Sequence, residues 1–275
     1  MTVSDLAAYW PFAVGLLVTG VFSGVFAGLL GIGGGAIIVP ALGWALGLMG
    51  YDSDVVQHVA VATSLAIIIP TGIMSARSHY RRGAVDMRAL RLWVPFIFLG
   101  TLIGGLMAGY FSGNTLRIIF GVMAIFIAAN IVLPFQTRLM GHLHNSATTH
   151  RISAFVVGYI SALMGTGGGS LSVPTLVAFG ETMHKAVGTG AAIGVAIAVG
   201  GTIGFVVSGW GASDLPPLSL GYVNLVALVI VGTMAALCAP IGVAIAHRLD
   251  QKTLKYVFAV FLTLVGLQMI WKALF

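Results

Sequence analysis

One glycine pattern occurs twice in this chain, as GIGGGAIIVP at residues 31–40 and GTGGGSLSVP at 165–174, each time inside an apolar stretch. A regular helix bears consecutive glycines poorly, at roughly 1 kcal/mol each relative to alanine. Three in a row, with a fourth two positions earlier, mark a break in the chain, and the recurrence marks a duplicated unit. The opposing reading is close helix packing, which small residues commonly serve in membranes; many of the 38 glycines must do that.

The surroundings of the motif fix the solvent. Hydrophobic residues make up 59% of the 275 and charged residues 7%, against about a quarter charged in an ordinary soluble domain, and mean hydropathy is +1.05. A span needs roughly 20 apolar residues to cross a hydrocarbon core about 30 Å thick. Segments near that length follow one another at residues 10–30, 36–50, 56–76, 92–111 and 115–134, then at 151–165, 170–180, 185–209, 220–246 and 252–273. The expected fold is an all-α polytopic membrane protein whose partner is the lipid bilayer. The net charge of +6 comes from short loops between spans, so it speaks for topology and against nucleic acid. The single cysteine, Cys238, lies in an apolar span and reads as a buried thiol. The start of the chain lacks the basic n-region of a secretory signal, so no cleavage is expected.

The two sets of segments match beyond the glycines. His58-Val-Ala-Val-Ala-Thr63-Ser64 answers His184-Lys-Ala-Val-Gly-Thr189-Gly190, Asn114-Thr-Leu-Arg117 answers Lys252-Thr-Leu-Lys255, and Asn130 answers Gln268. The chain thus divides into a first membrane repeat (1–135), a linker (136–150) and a second repeat (151–275). Loop charges orient them. Residues 77–91 carry five arginines, while the equivalent 209–220 carry Asp214 and no basic residue. Equivalent loops therefore face opposite sides, which makes the repeats inverted, with the linker cytoplasmic and both termini outside.

In the second repeat, about 14 apolar residues precede GTGGG and about 11 follow it, too few for two full spans at about 1.5 Å per residue. The pair reads as a re-entrant hairpin. Irregular backbone at membrane depth is tolerated only where protein buries it or it lines a cavity, so two such turns from opposite faces are expected to meet near the midplane. Their N–H groups, with the positive ends of helices starting at Ala36 and Ser170, form a site for a small anion without a fixed charge.

Nearby polar residues extend this site. Thr63, Ser64 and Thr189 could donate to a bound anion, or bond back to a helix carbonyl as hydroxyls in spans readily do. His58 and His184 each begin the segment after a hairpin and are the titratable candidates for proton coupling, with solvated interfacial histidines as the alternative. His142, His144 and His150 have no cysteine or carboxylate beside them, so no metal is expected, and no cofactor is implied. All seven acidic residues fall at segment ends or in loops, which disfavours a cation or proton-relay site inside the membrane. A hydrolase using Ser170 and His184 lacks an orienting partner, and Ser170 answers Ala36 in the other half. The chain reads as a non-enzyme.

With its paired G-x-G-G-G-x-x-x-V-P segments in a two-fold-repeated chain, the sequence resembles the TauE/SafE sulfite exporter family over nearly its whole length. The resemblance implies a multi-pass bacterial inner-membrane transporter of sulfur-containing anions such as sulfite or sulfonates. Gly31, Gly33, Gly34, Gly35 and Pro40, and Gly165, Gly167, Gly168, Gly169 and Pro174, match the motif. Ile32 against Thr166 and Ala36 against Ser170 make the second hairpin the more polar. Export by alternating access is the expected direction and mechanism. The alternative is a transporter or channel for another small anion, such as a carboxylate.

Overall fold

A computed structural model describes residues 3–30, 34–133, 146–246 and 251–275. Gly31, Ile32 and Gly33, linker residues 134–145 with Arg138, His142 and His144, and residues 247–250 with Arg248 lie outside the described residues.

The described residues form ten helices: α1 (Val3–Leu30), α2 (Gly35–Gly47), α3 (Ser53–Arg81), α4 (Met87–Ala108), α5 (Gly113–Val132), α6 (Ala147–Met164), α7 (Gly168–Ala178), α8 (Met183–Ser208), α9 (Leu225–Ala246) and α10 (Gln251–Leu274). Six of them, α3, α4, α5, α8, α9 and α10, are long and apolar enough to cross a membrane. Their starts follow from single polar residues. Asp52, Asp86, Ser112, Ser146 and Thr182 each accept a hydrogen bond from a first-turn N–H of the helix that follows, and Asn224 does so for α9 through Ala227. Such caps satisfy donors that have no intrahelical acceptor. Helices α2 and α7 differ: they begin behind Gly34 and Gly167 with no side-chain cap.

Two boundaries depart from the expectation. Helix α3 runs on to Arg81 and α4 starts at Met87, so of the expected arginine loop only 82–86 lies between helices. Hydropathy marks where the bilayer ends, whereas hydrogen bonding carries a helix beyond it. Likewise α6 begins at Ala147, inside the expected linker, capped by Ser146. The 209–224 connection adds a two-residue antiparallel ladder, β1 (Ser219–Leu220) with β2 (Val223–Asn224), turning at Gly221 with φ 54°.

Helix α3 is the centre of the molecule. Every residue from Val56 to Ile68 is buried, the polar Gln57, His58, Thr63 and Ser64 included. It packs on α8, and other principal contacts join α1 to α9, α4 to α6 and α8, and α5 to α10. Lipid supplies no hydrophobic force between helices, so close approach at small residues does the work. A methyl on Gly121 would lie 2.6 Å from the Gly266 carbonyl oxygen, and one on Gly266 2.7 Å from that of Gly121. Helices α3 and α8 run antiparallel, Gly201 packing on Leu65 and Gly72 on Val195. So do α5 and α10, where Gly121 meets Gly266 and Ile270 while Gly266 meets Ala124 and Ile125.

Candidate functional site: the paired glycine turns

Helix α6 ends in a tight reversal. Gly165 takes the left-handed φ of 68°, its N–H donates to the Ala162 carbonyl (3.1 Å), and the Thr166 N–H donates to that of Ser161 (3.2 Å). This Schellman geometry closes the helix and favours glycine at the reversed position. Helix α7 then returns: Phe179, just past its end, stacks on His150 near the start of α6 with ring centroids 3.8 Å apart, and Trp93 Nε1 donates to His150 Nδ1. Both arms open on the same side. In the first half Gly34 (φ 72°) precedes α2, which folds back along α1 so that Gly15 faces Ala45.

The two turns touch. A Cβ on Gly35 would lie 2.6 Å from the Gly165 carbonyl oxygen and 3.0 Å from Thr166 Cα. Ser64 Oγ donates to that same Gly165 carbonyl at 2.9 Å. Ile68 packs on Gly35 and Gly167, Val39 and Val61 on Gly165. Ser64 and Ile68 lie near the middle of the 29-residue α3, which puts the contact near mid-depth of a spanning helix. Gly34, Gly35, Ala36, Thr166 and Ser170 are buried, while Gly169 is half-buried. Ser170 Oγ donates to Thr166 Oγ1 and to the Gly167 carbonyl, both at 3.2 Å, and no bond joins it to the exposed His184.

The remaining motif residues serve different ends. A methyl on Gly168 would fall 2.2 Å from the Gly190 carbonyl oxygen, and one on Gly190 2.8 Å from Val173 Cγ2. Here α7 lies directly on α8, and packing explains both glycines. Thr63 and Thr189 do something neither sequence reading anticipated. Thr63 Oγ1 accepts the Asn224 N–H (3.0 Å) and Thr189 Oγ1 accepts the Asp86 N–H (2.8 Å). Each thus ties its helix to the capping residue of a helix in the other half. Asp86 and Asn224 escaped the sequence reading because one is charged and the other neutral; their common trait is position.

His58 is buried, with Nδ1 2.7 Å from the Asp54 carbonyl, Nε2 2.9 Å from the Ala108 carbonyl, and its ring stacked on Tyr222 at 4.7 Å. His184 is exposed in the first turn of α8. At that end Asp86 is held below the usual carboxylate range, chiefly by the Ala89 N–H, and Glu181 is pushed up, first by burial and then by Asp86. Cys238 is half-buried in α9.

Comparison with known proteins agrees with this architecture. A "Probable membrane transporter protein" of Haemophilus influenzae is 33% identical over 256 residues, covering 93% of this chain and 97% of the relative. YunE of Bacillus subtilis, with the same description, is 28% identical over 94% of this chain and 98% of its own. One of Methanocaldococcus jannaschii is 22% identical over 93% and 94%. No solved structure matches significantly. The family model for the sulfite exporter TauE/SafE matches residues 16–269, and with six apolar spans in the same stretch, the chain belongs to that family of multi-pass membrane proteins.

Proposed function

We propose that this membrane transporter is a secondary carrier of small sulfur-containing anions, such as sulfite or a sulfonate, that exports them by alternating access around the two glycine turns. The observation that carries the reading is the missing caps. Six other helices begin on a side chain that accepts their first-turn N–H groups, whereas α2 and α7 begin on bare glycine where the two turns meet. Uncapped N–H groups at a buried helix start are a site for an anion. Gly34, Gly35, Ala36, Thr166, Gly167, Gly169 and Ser170 are the residues assigned to it, with Ser64 bracing the second turn and Gly168, Gly190, Thr63 and Thr189 holding its walls.

Inverted repeats supply the moving parts. Exchange of α1–α5 with α6–α10 turns the α1–α9 contact into α6–α4 and returns α3–α8 and α5–α10 to themselves. The self-paired helices run antiparallel, as an axis in the membrane plane requires. A potential of about 100 mV, inside negative, contributes roughly 2.3 kcal/mol per charge moved outward, so export of an anion needs no coupling ion. His58 and His184 are the candidates for proton coupling, and of the two only His58 is buried, with both ring nitrogens against carbonyl oxygens.

Uptake of labelled sulfite, taurine and sulfoacetate into proteoliposomes, under imposed potentials of either sign and with or without a pH gradient, tests the reading. Saturable, potential-sensitive uptake of one of them is the expected result. Transport of carboxylates alone would move the substrate outside the sulfur class, and inert, folded protein would refute the carrier.

A further inference from the structure

Gln57 is 1% exposed, and its amide Nε2 has no hydrogen-bond partner. An unpaired buried donor is costly to keep, and native proteins pair nearly all of them. Its place on α3 suggests what it is kept for. Residues 53, 57, 61, 64 and 68 follow helical spacing and share one face of α3. Along that face, the Ser53 carbonyl accepts from Arg117 (2.9 Å) at the end away from the arginine-rich loop; Val61 backbone lies against Gly165; Ser64 donates to Gly165; Ile68 touches Gly35 and Gly167. Gln57 stands between Arg117 and the glycine turns. The carboxylates at that end are engaged elsewhere: Asp54 Oδ1 accepts from Gly113 N (2.7 Å) and Asp52 Oδ1 caps α3. In the second half the residue before His184 is the exposed Met183, so the donor is confined to one side of the molecule.

We propose that Gln57 is a substrate-binding residue, donating from its carboxamide to a small oxyanion passing between the outer end of α3 and the glycine turns. A neutral donor suits a passage, since it orients the anion without the charge that would retain it. The assignment rests on the anion-carrier reading above.

The test uses the full chain in proteoliposomes of known orientation, with labelled sulfite, taurine and sulfoacetate as probes and Gln57→Met and Gln57→Leu as variants. Loss of one hydrogen bond to a charged ligand predicts Vmax/KM lowered about ten-fold or more in both directions, as a fixed equilibrium requires, carried from the outer face by a higher KM and from the inner face by a lower maximal rate at an unchanged KM. The thermal midpoint in detergent should be unchanged or higher, because an unpaired polar group has been removed. A wild-type external KM in both variants, an equal rise from both faces, or a fall in thermal midpoint in both would overturn the role of Gln57. A wild-type protein that moves none of the three probes refutes the sulfur-anion reading on which the assignment rests, before any variant is compared.

Discussion

Gly167 and Gly168 are neighbours in one motif with different surroundings, and that difference separates ligand approach from packing. A methyl on Gly167 would meet only Ile68, at 3.4 and 3.8 Å, and its φ of −78° is open to any residue. Gly167→Ala should therefore leave the thermal midpoint intact while lowering transport if a ligand must approach that backbone; normal transport would remove Gly167 from the site. Gly168→Ala, blocked by the Gly190 carbonyl, should cost about 1–3 kcal/mol through overpacking, read as a lower midpoint in detergent. Asp86 is a residue whose contribution depends on pH. Its folded carboxyl is held below its ordinary value by N–H donors, so the stability it adds is present above that value and lost as pH falls through the folded one. Asp86→Ala should cost about 1 kcal/mol as a lost cap. Asp86→Asn, which keeps an acceptor, should flatten the fall in thermal midpoint below about pH 4; an unaltered slope would show that the acid sensitivity arises elsewhere. At this scale the sequence identified the motif glycines but could not sort them, because contacts with α8 decide which of them serve helix packing.

At the scale of elements, short apolar runs around the second motif announced a hairpin, and α7, at 11 residues, is too short to span. Helix starts were less legible. The reading began α2 and α7 at Ala36 and Ser170, whereas they begin at Gly35 and Gly168, since first-turn positions lack intrahelical N–H bonds and tolerate glycine there. The paired threonines were visible as equivalents, but their partners lie 161 and 103 positions away. Thr63→Val should cost about 1–3 kcal/mol by stranding a buried N–H. Thr189→Val should cost less, because Asp86 is only half-buried and water can replace the hydroxyl, and Thr→Ser should restore either. Equal, negligible losses in both would show that these bonds do not hold the helices together.

For the whole molecule, loop charge predicts which face each turn occupies. In a Cys238→Ser background, cysteines introduced at Ser112 and Asp214 should react with an impermeant maleimide from outside, and one at Gly83 only from the cytoplasm. Labelling of Gly83 and Asp214 from the same face would end the inverted reading. Composition and apolar length by themselves determined a polytopic membrane protein, since the bilayer imposes a length and a hydropathy on every crossing segment whatever its neighbours. Only the tertiary structure decided that the two turns touch at Gly35 and Gly165, that Thr63 and Thr189 bind the caps of the opposite half, and that Gln57 is enclosed without a partner. Those facts depend on how helices distant in sequence stack, and in lipid that stacking rests on close backbone contact and paired polar groups, which leave no periodic trace in a single chain.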